Sequence, residues 1–100
     1  MKHLKQTIEK ALGKPVVFED FETLDEWCRA GEPAVCNKVF EDENIIVFRD
    51  QGYGNWILVE KDSENIYYSD HEYVIGQKYV IIQIAASFIA ISRIEHMVKY

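Results

Sequence analysis

Leu4, Ile8, Ala11 and Leu12 recur at three- and four-residue intervals, and Gly13 follows where a left-handed cap is expected. The spacing predicts an amphipathic helix over residues 3–12, with Lys5 and Lys10 on its polar side. Val16, Val17 and Phe18 suit a short strand or an extended connection. Thr23 with Glu26 three residues on forms a capping box, Leu24, Trp27 and Cys28 supply an apolar stripe, and Gly31 and Pro33 stop the chain, so a short helix is expected over residues 24–30. From Ala34 the period falls to two, with β-branched and aromatic residues in runs at 34–40, 45–50, 55–61 and 66–70. The segments between them are short and polar or glycine-bearing, so neighbouring runs close as antiparallel hairpins in a four-stranded meander. Residues 80–84 can add another strand after a loop at 71–78. Phe88, Ile91, Ile94 and Val98 return to helical spacing and predict a C-terminal helix. The expected architecture is one α+β domain over residues 1–100: an antiparallel sheet of four or five strands with helices packed on one face.

Loops of four residues fix a register. Phe48 then faces Ile57, Ile46 faces Val39 and Val59, and Val59 faces Tyr68, which gives an apolar face for the core beneath the helices. The opposite face carries Phe40, Ile45, Val47, Trp56, Leu58 and Tyr67 interleaved with Lys38, Arg49, Glu60 and Ser69, with Arg49 across from Trp56. Three readings of this face stay open: a solvated surface whose aromatic rings stack on Arg49, an aromatic interaction surface containing Trp56 and Tyr67, or a face covered by the loop after Asp70. The loops at 41–44 and 62–65 fall at one end of the meander, about 10 Å apart at two strand spacings. Glu41, Asp42, Glu43, Asp62 and Glu64 therefore share an acidic rim, which either keeps the protein soluble or steers a cationic partner.

Composition narrows the function. The 100 residues carry a formal charge of −6, which disfavours nucleic acid as a partner and favours a basic protein. The longest apolar run, residues 79–91, is broken by Gln83 and Ser87 and falls short of the roughly 20 residues a membrane helix needs. With no signal-like apolar block near the N-terminus, a cytoplasmic location is expected, and Cys28 and Cys36 are expected to be reduced. Asp70, His71 and Glu72 are adjacent, so their side chains point to opposite faces of an extended segment and make a poor metal or acid/base site. Gly52, Tyr53 and Gly54 read as a hairpin turn, since they neither complete a phosphate-binding glycine pattern nor lead into a helix with the required Lys and Ser or Thr. No catalytic residue, cofactor site or metal ligand is expected. A metal-dependent hydrolase using His71 and its neighbouring acids stands as the remote alternative.

Gly52-Tyr53-Gly54-Asn55-Trp56-Ile57-Leu58, then Ile66-Tyr67-Tyr68-Ser69-Asp70-His71-Glu72, then Ile84-Ala85-Ala86-Ser87-Phe88 resemble the second half of the SUKH superfamily, the group of Smi1/Knr4-like proteins. The shared pattern is a glycine-bearing turn, a strand, a strand ending in Asp-His-Glu, and a small-residue Ser-Phe lead into the last helix, over about residues 45–97. The resemblance implies an α+β binding domain, in bacteria commonly an immunity protein that neutralises a cognate toxin such as a nuclease. Taken together with the acidity of the chain, it makes a basic toxin domain the expected partner, and the chain is expected to be a monomer or weak homodimer. The alternative is a small structural or regulatory domain that self-associates through the aromatic sheet face.

Overall fold

The computed structural model describes residues 3–85 and 88–97. Helix α1 (Leu4–Leu12) ends at Gly13, whose φ of 71° lets its N–H close back on the Glu9 carbonyl. Strand β1 (Val16–Val17) and helix α2 (Leu24–Arg29) lead to the meander: β2 (Ala34–Glu41), β3 (Ile45–Asp50), β4 (Trp56–Glu60) and β5 (Asn65–Ser69). The chain continues through β6 (Tyr73–Ile75), β7 (Tyr79–Ala85), β8 (Phe88–Arg93) and α3 (Ile94–Met97). The fold is α+β. Its main sheet has the order β1-β2-β3-β4-β5 and is mixed, because β1 joins β2 in parallel while the remaining pairs are antiparallel. The second sheet, β6-β7-β8, is antiparallel.

Both faces of the main sheet are buried. On one, Ile46, Phe48, Ile57 and Val59 join Ala34, Cys36, Val16 and Ile8 of α1, as the alternation of the strands dictates. On the other, Ile45, Val47, Trp56 and Leu58 pack against Val74 and Ile81 of the second sheet, with Tyr67, Tyr79, Ile89 and Ile91 at the margins. Of the three readings the sequence leaves open for this face, the covered one holds. The result is three layers: helix, main sheet, second sheet.

Four sequence expectations change in detail. Phe48 pairs with Ile57 and Arg49 with Trp56 as expected, but a bulge between Lys38 and Phe40 sets Ile46 opposite Glu41 and turns Val39 toward the second layer. The turn after β4 closes over four residues with Glu64 in the left-handed region (φ 59°), so Val59 pairs with Ile66 and Ile57 with Tyr68. That two-residue slip leaves every side chain on its assigned face. The C-terminal helix over Phe88 to Ile94 is corrected to strand β8, because pairing with β7 buries Ile89 and Ile91 at a period of two. Helix α3 keeps only four residues, and Val98 lies outside the described residues. Likewise β6 occupies part of the segment expected to be loop.

Candidate protein-docking site

The structure separates the residues that the sequence groups as a partner surface. Loops 42–44 and 61–64 do lie side by side, joined by the Lys61 N–H to the Asn44 carbonyl at 2.9 Å and by Lys61 Nζ to the Asp42 carbonyl at 2.6 Å. Their charge, however, is largely compensated. Glu41 sits between Lys38 and Lys61, each at 2.8 Å, and these hydrogen bonds, Lys38 first, hold its carboxyl down at about 2. Asp62 pairs with Lys78, whose hydrogen bond lowers its carboxyl too. Asp42 turns inward as an acceptor for the Asn44 and Ile45 N–H groups at 2.7 and 2.9 Å. Of the five rim acids, Glu43 and Glu64 have neither an ion-pair nor a turn partner among the described residues.

Trp56 is not a surface anchor. It is 1% exposed because the second sheet lies over it; its indole N–H donates to Gln83 Oε1 at 3.1 Å, and the Arg49 guanidinium sits 4.6 Å from its ring centroid. Tyr67 is half-buried against the same cluster. The expected aromatic surface is therefore an interior seam. His71 and Asp70 stand exposed at 3.7 Å, and among the described residues no three His, Cys, Asp or Glu side chains converge on a metal position. Cys28 is exposed, Cys36 is buried, and both are free. No helix among the described residues is long and apolar enough to cross a membrane.

The unpaired charge lies elsewhere. Residues 18–27 read Phe-Glu-Asp-Phe-Glu-Thr-Leu-Asp-Glu-Trp: five acids and no base, with an apolar residue at every third position. This segment forms one side of an open groove of about 600 Å³ lined by Phe21, Leu24, Trp27 and Val35, with Asp20 and Glu22 on its edge and the turn at Gln51 and Gly52 opposite. Among these acids, Asp25 pairs with Arg29, while Glu19, Asp20, Glu22 and Glu26 form no ion pair among the described residues. Leu24 is 73% exposed.

Local chemistry holds this surface in place. Thr23, in extended conformation, accepts the Glu26 N–H at 3.1 Å and starts α2, and Asp25 and Glu26 favour the positive end of its first turn. Trp27 is fixed by its indole N–H donating to the Pro33 carbonyl at 2.8 Å, with Tyr53 tilted against it at 6.4 Å. Tyr53 is fixed in turn. The buried carboxyl of Asp50 accepts the Gly52 and Tyr53 N–H groups, both at 3.1 Å, and the Tyr53 hydroxyl donates to the Glu32 carbonyl at 3.2 Å. Such a platform loses little side-chain freedom on binding, which favours affinity.

Leu24, Trp27 and Cys28 form the apolar stripe expected from the sequence, but α2 buries no residue. The signal that could have found the groove is the acidic run at residues 18–27, with an apolar residue at every third position, around a helix of only six residues. A second cleft, about 630 Å³ between α1 and the sheet, has Leu4, Phe18 and Phe48 inside, but the Lys38, Glu41, Lys61 and Glu64 at its mouth balance one another. In comparisons with known proteins, no family model, curated protein or solved structure matches the chain.

Proposed function

We propose that this chain is a non-enzymatic protein-binding module that takes a basic partner into the groove beside α2. The observation that carries the reading is the coincidence of exposed Leu24, fixed Trp27 and two acids without ion pairs among the described residues, Asp20 and Glu22, on one groove. Charges of one sign speed encounter with an oppositely charged protein, and the apolar positions supply the short-range contact that slows its release. The resemblance to SUKH proteins extends the proposal to an immunity role: stoichiometric occupation of a basic toxin domain in the cytoplasm. Binding rather than chemistry fits the Asp50 carboxyl, which is used up in shaping a turn.

The test uses a synthetic peptide alternating Lys and Leu, with a Lys and Ser peptide of equal charge as control, and measures association and dissociation rates. Glu19→Lys with Glu22→Lys is expected to slow association and flatten its salt dependence. Leu24→Ser, at an exposed site that leaves the fold intact, is expected to speed dissociation of the Lys and Leu peptide. Glu43→Lys on the compensated rim is the control and is expected to change little. A larger effect from Glu43→Lys than from the groove variants would overturn the assignment. For the immunity role, co-expression is expected to relieve growth arrest by the toxic C-terminal domain of a protein encoded next to this chain; continued arrest would remove that extension and leave the binding module.

A further inference from the structure

We infer that the outer face of the second sheet is the surface through which two copies of this chain associate. Its inner face is spent on the main sheet. On the outer face, Tyr73 stands opposite Ile82 and Ile82 opposite Ala90, so alternation adds Ile75 from β6 and Phe88 from β8, while Ile84 projects from the bulge between Gln83 and Ala85. Tyr73, Ile75, Ile82, Ile84 and Phe88 are between 39% and 70% exposed.

At about 200 Å² for a fully exposed large side chain, these residues present on the order of 550 Å² of mainly apolar surface, near the top of the range for the largest patch on a monomer. Two such faces in contact would bury about 1,100 Å² from these side chains alone. Ala90, Ser92 and the intervening backbone carry the total to the lower part of the roughly 1,200–2,000 Å² of a standard stable interface.

Charge selects a second copy as the occupant. Apart from Arg93 at the end of β8, which aligns with Tyr79 on the inner face, the strands that build this face contain no Asp, Glu, Lys or Arg. A chain with a formal charge of −6 repels its own copy across most of its surface, but a two-fold axis through this face opposes no like charges. Two sheets packed this way lie about 10 Å apart with strands crossing at about 30°, an arrangement that lets Ile84 and Phe88 of each copy interdigitate with the other. No residue of the groove beside α2 takes part, so the dimer would present two grooves.

Sedimentation velocity of the full chain over a wide concentration range tests the inference, with Phe88→Glu and Ile84→Glu compared with wild type and Phe88→Leu. Both sites are exposed, so circular dichroism and the unfolding midpoint are expected to stay close to wild type. Wild type and Phe88→Leu should sediment as a concentration-dependent dimer and the Glu variants as monomers. Wild type that stays monomeric at every concentration would overturn the inference, as would a dimer that survives in the folded Glu variants. Binding of the Lys and Leu peptide to the same variants keeps the two proposals apart: unchanged binding by monomeric variants supports a separate dimer face, and its loss in folded variants would contradict that separation.

Discussion

Removing the Glu60 side chain is the sharpest test of the layered fold. Glu60 ends β4, is 1% exposed, and reaches the second sheet: its Oε2 accepts the Lys78 and Tyr79 N–H groups at 2.8 and 3.1 Å, while Oε1 has no hydrogen-bond partner among the described residues. Glu60→Ala strands both donors at the seam. Each unsatisfied buried donor costs about 1–3 kcal/mol, and relief of the orphan oxygen offsets part of that, so a net loss of about 2–4 kcal/mol is expected. For a domain of this size that lowers Tm by roughly 10–25 °C. Glu60→Gln keeps an oxygen for the two donors and is expected to cost less than half as much. Gly76 supplies a cross-check, because a Cβ there would lie 2.4 Å from Glu60 Oε2 and 2.9 Å from Leu58 Cδ2. Gly76→Ala alone is expected to cost about 1–3 kcal/mol by overpacking, and less in the Glu60→Ala background. Urea unfolding followed by circular dichroism gives all four corners of the cycle. A Glu60→Ala loss under about 0.5 kcal/mol, or strict additivity with Gly76→Ala, would refute the claim that this side chain pins the second sheet to the first.

Trp56→Ala, which empties the same seam and orphans the Gln83 oxygen, is expected to cost about 3–5 kcal/mol in urea unfolding, and a near-neutral result would mean that the sheet face is solvated after all. Burial, with Asp50 nearby, pushes the Cys36 thiol up from 9.0 to about 12, so only the unfolded chain ionises it between those values and its contribution to stability declines as pH rises from 9.0 toward 12. A thiol reagent at neutral pH should accordingly label Cys28 in the native protein and Cys36 only after unfolding, as counted by mass spectrometry. Glu41 has the opposite sign: its carboxyl is lowered from 4.5 to about 2, so the benefit of its lysine bonds is present above 4.5 and lost as pH falls toward 2. Glu41→Gln should flatten that acid limb of Tm against pH, by a small amount since the site is exposed, and an unchanged limb would mean that the pair contributes nothing in solution.

Local signals carried much of the fold. The helical spacing of Leu4, Ile8 and Leu12 with Gly13 gives α1 and its cap, and the period-two runs give β2 to β5 within a residue at each end. Side-chain parity then places Ile46, Phe48, Ile57 and Val59 together even though the β5 register slips, because a slip of two preserves the face. What local signals carry poorly is the second layer. Trp56-Ile57-Leu58-Val59 is apolar at every position, the mark of a strand covered on both sides, yet its cover comes from β6 and β7 much later in the chain. The run from Phe88 satisfies helical and strand periods alike through Ile91, and only pairing with β7 decides between them. The candidate site was half legible. The rim acids do adjoin, but of the lysines that compensate them only Lys38 is local, three residues before Glu41, while Lys61 reaches Glu41 through the sheet and Lys78 reaches Asp62 through the turn after β6. The acids of residues 18–27 are evident in the sequence, while the groove they border requires the hairpin turn at Gly52 to close its far side.

The most direct measurement of where a basic partner binds is an NMR titration of the ¹⁵N-labelled chain with the Lys and Leu peptide, read at its two tryptophan side chains. Trp27 presents its indole N–H beside the groove, and Trp56 presents its own within the interior seam. The Trp27 indole and the Leu24 backbone N–H should shift in proportion to bound peptide, while the Trp56 indole and the Glu43 backbone N–H stay in place. Shifts centred on Glu43 and Glu64 or on the Trp56 indole, with Trp27 and Leu24 unmoved, would contradict the assignment of binding to the groove beside α2.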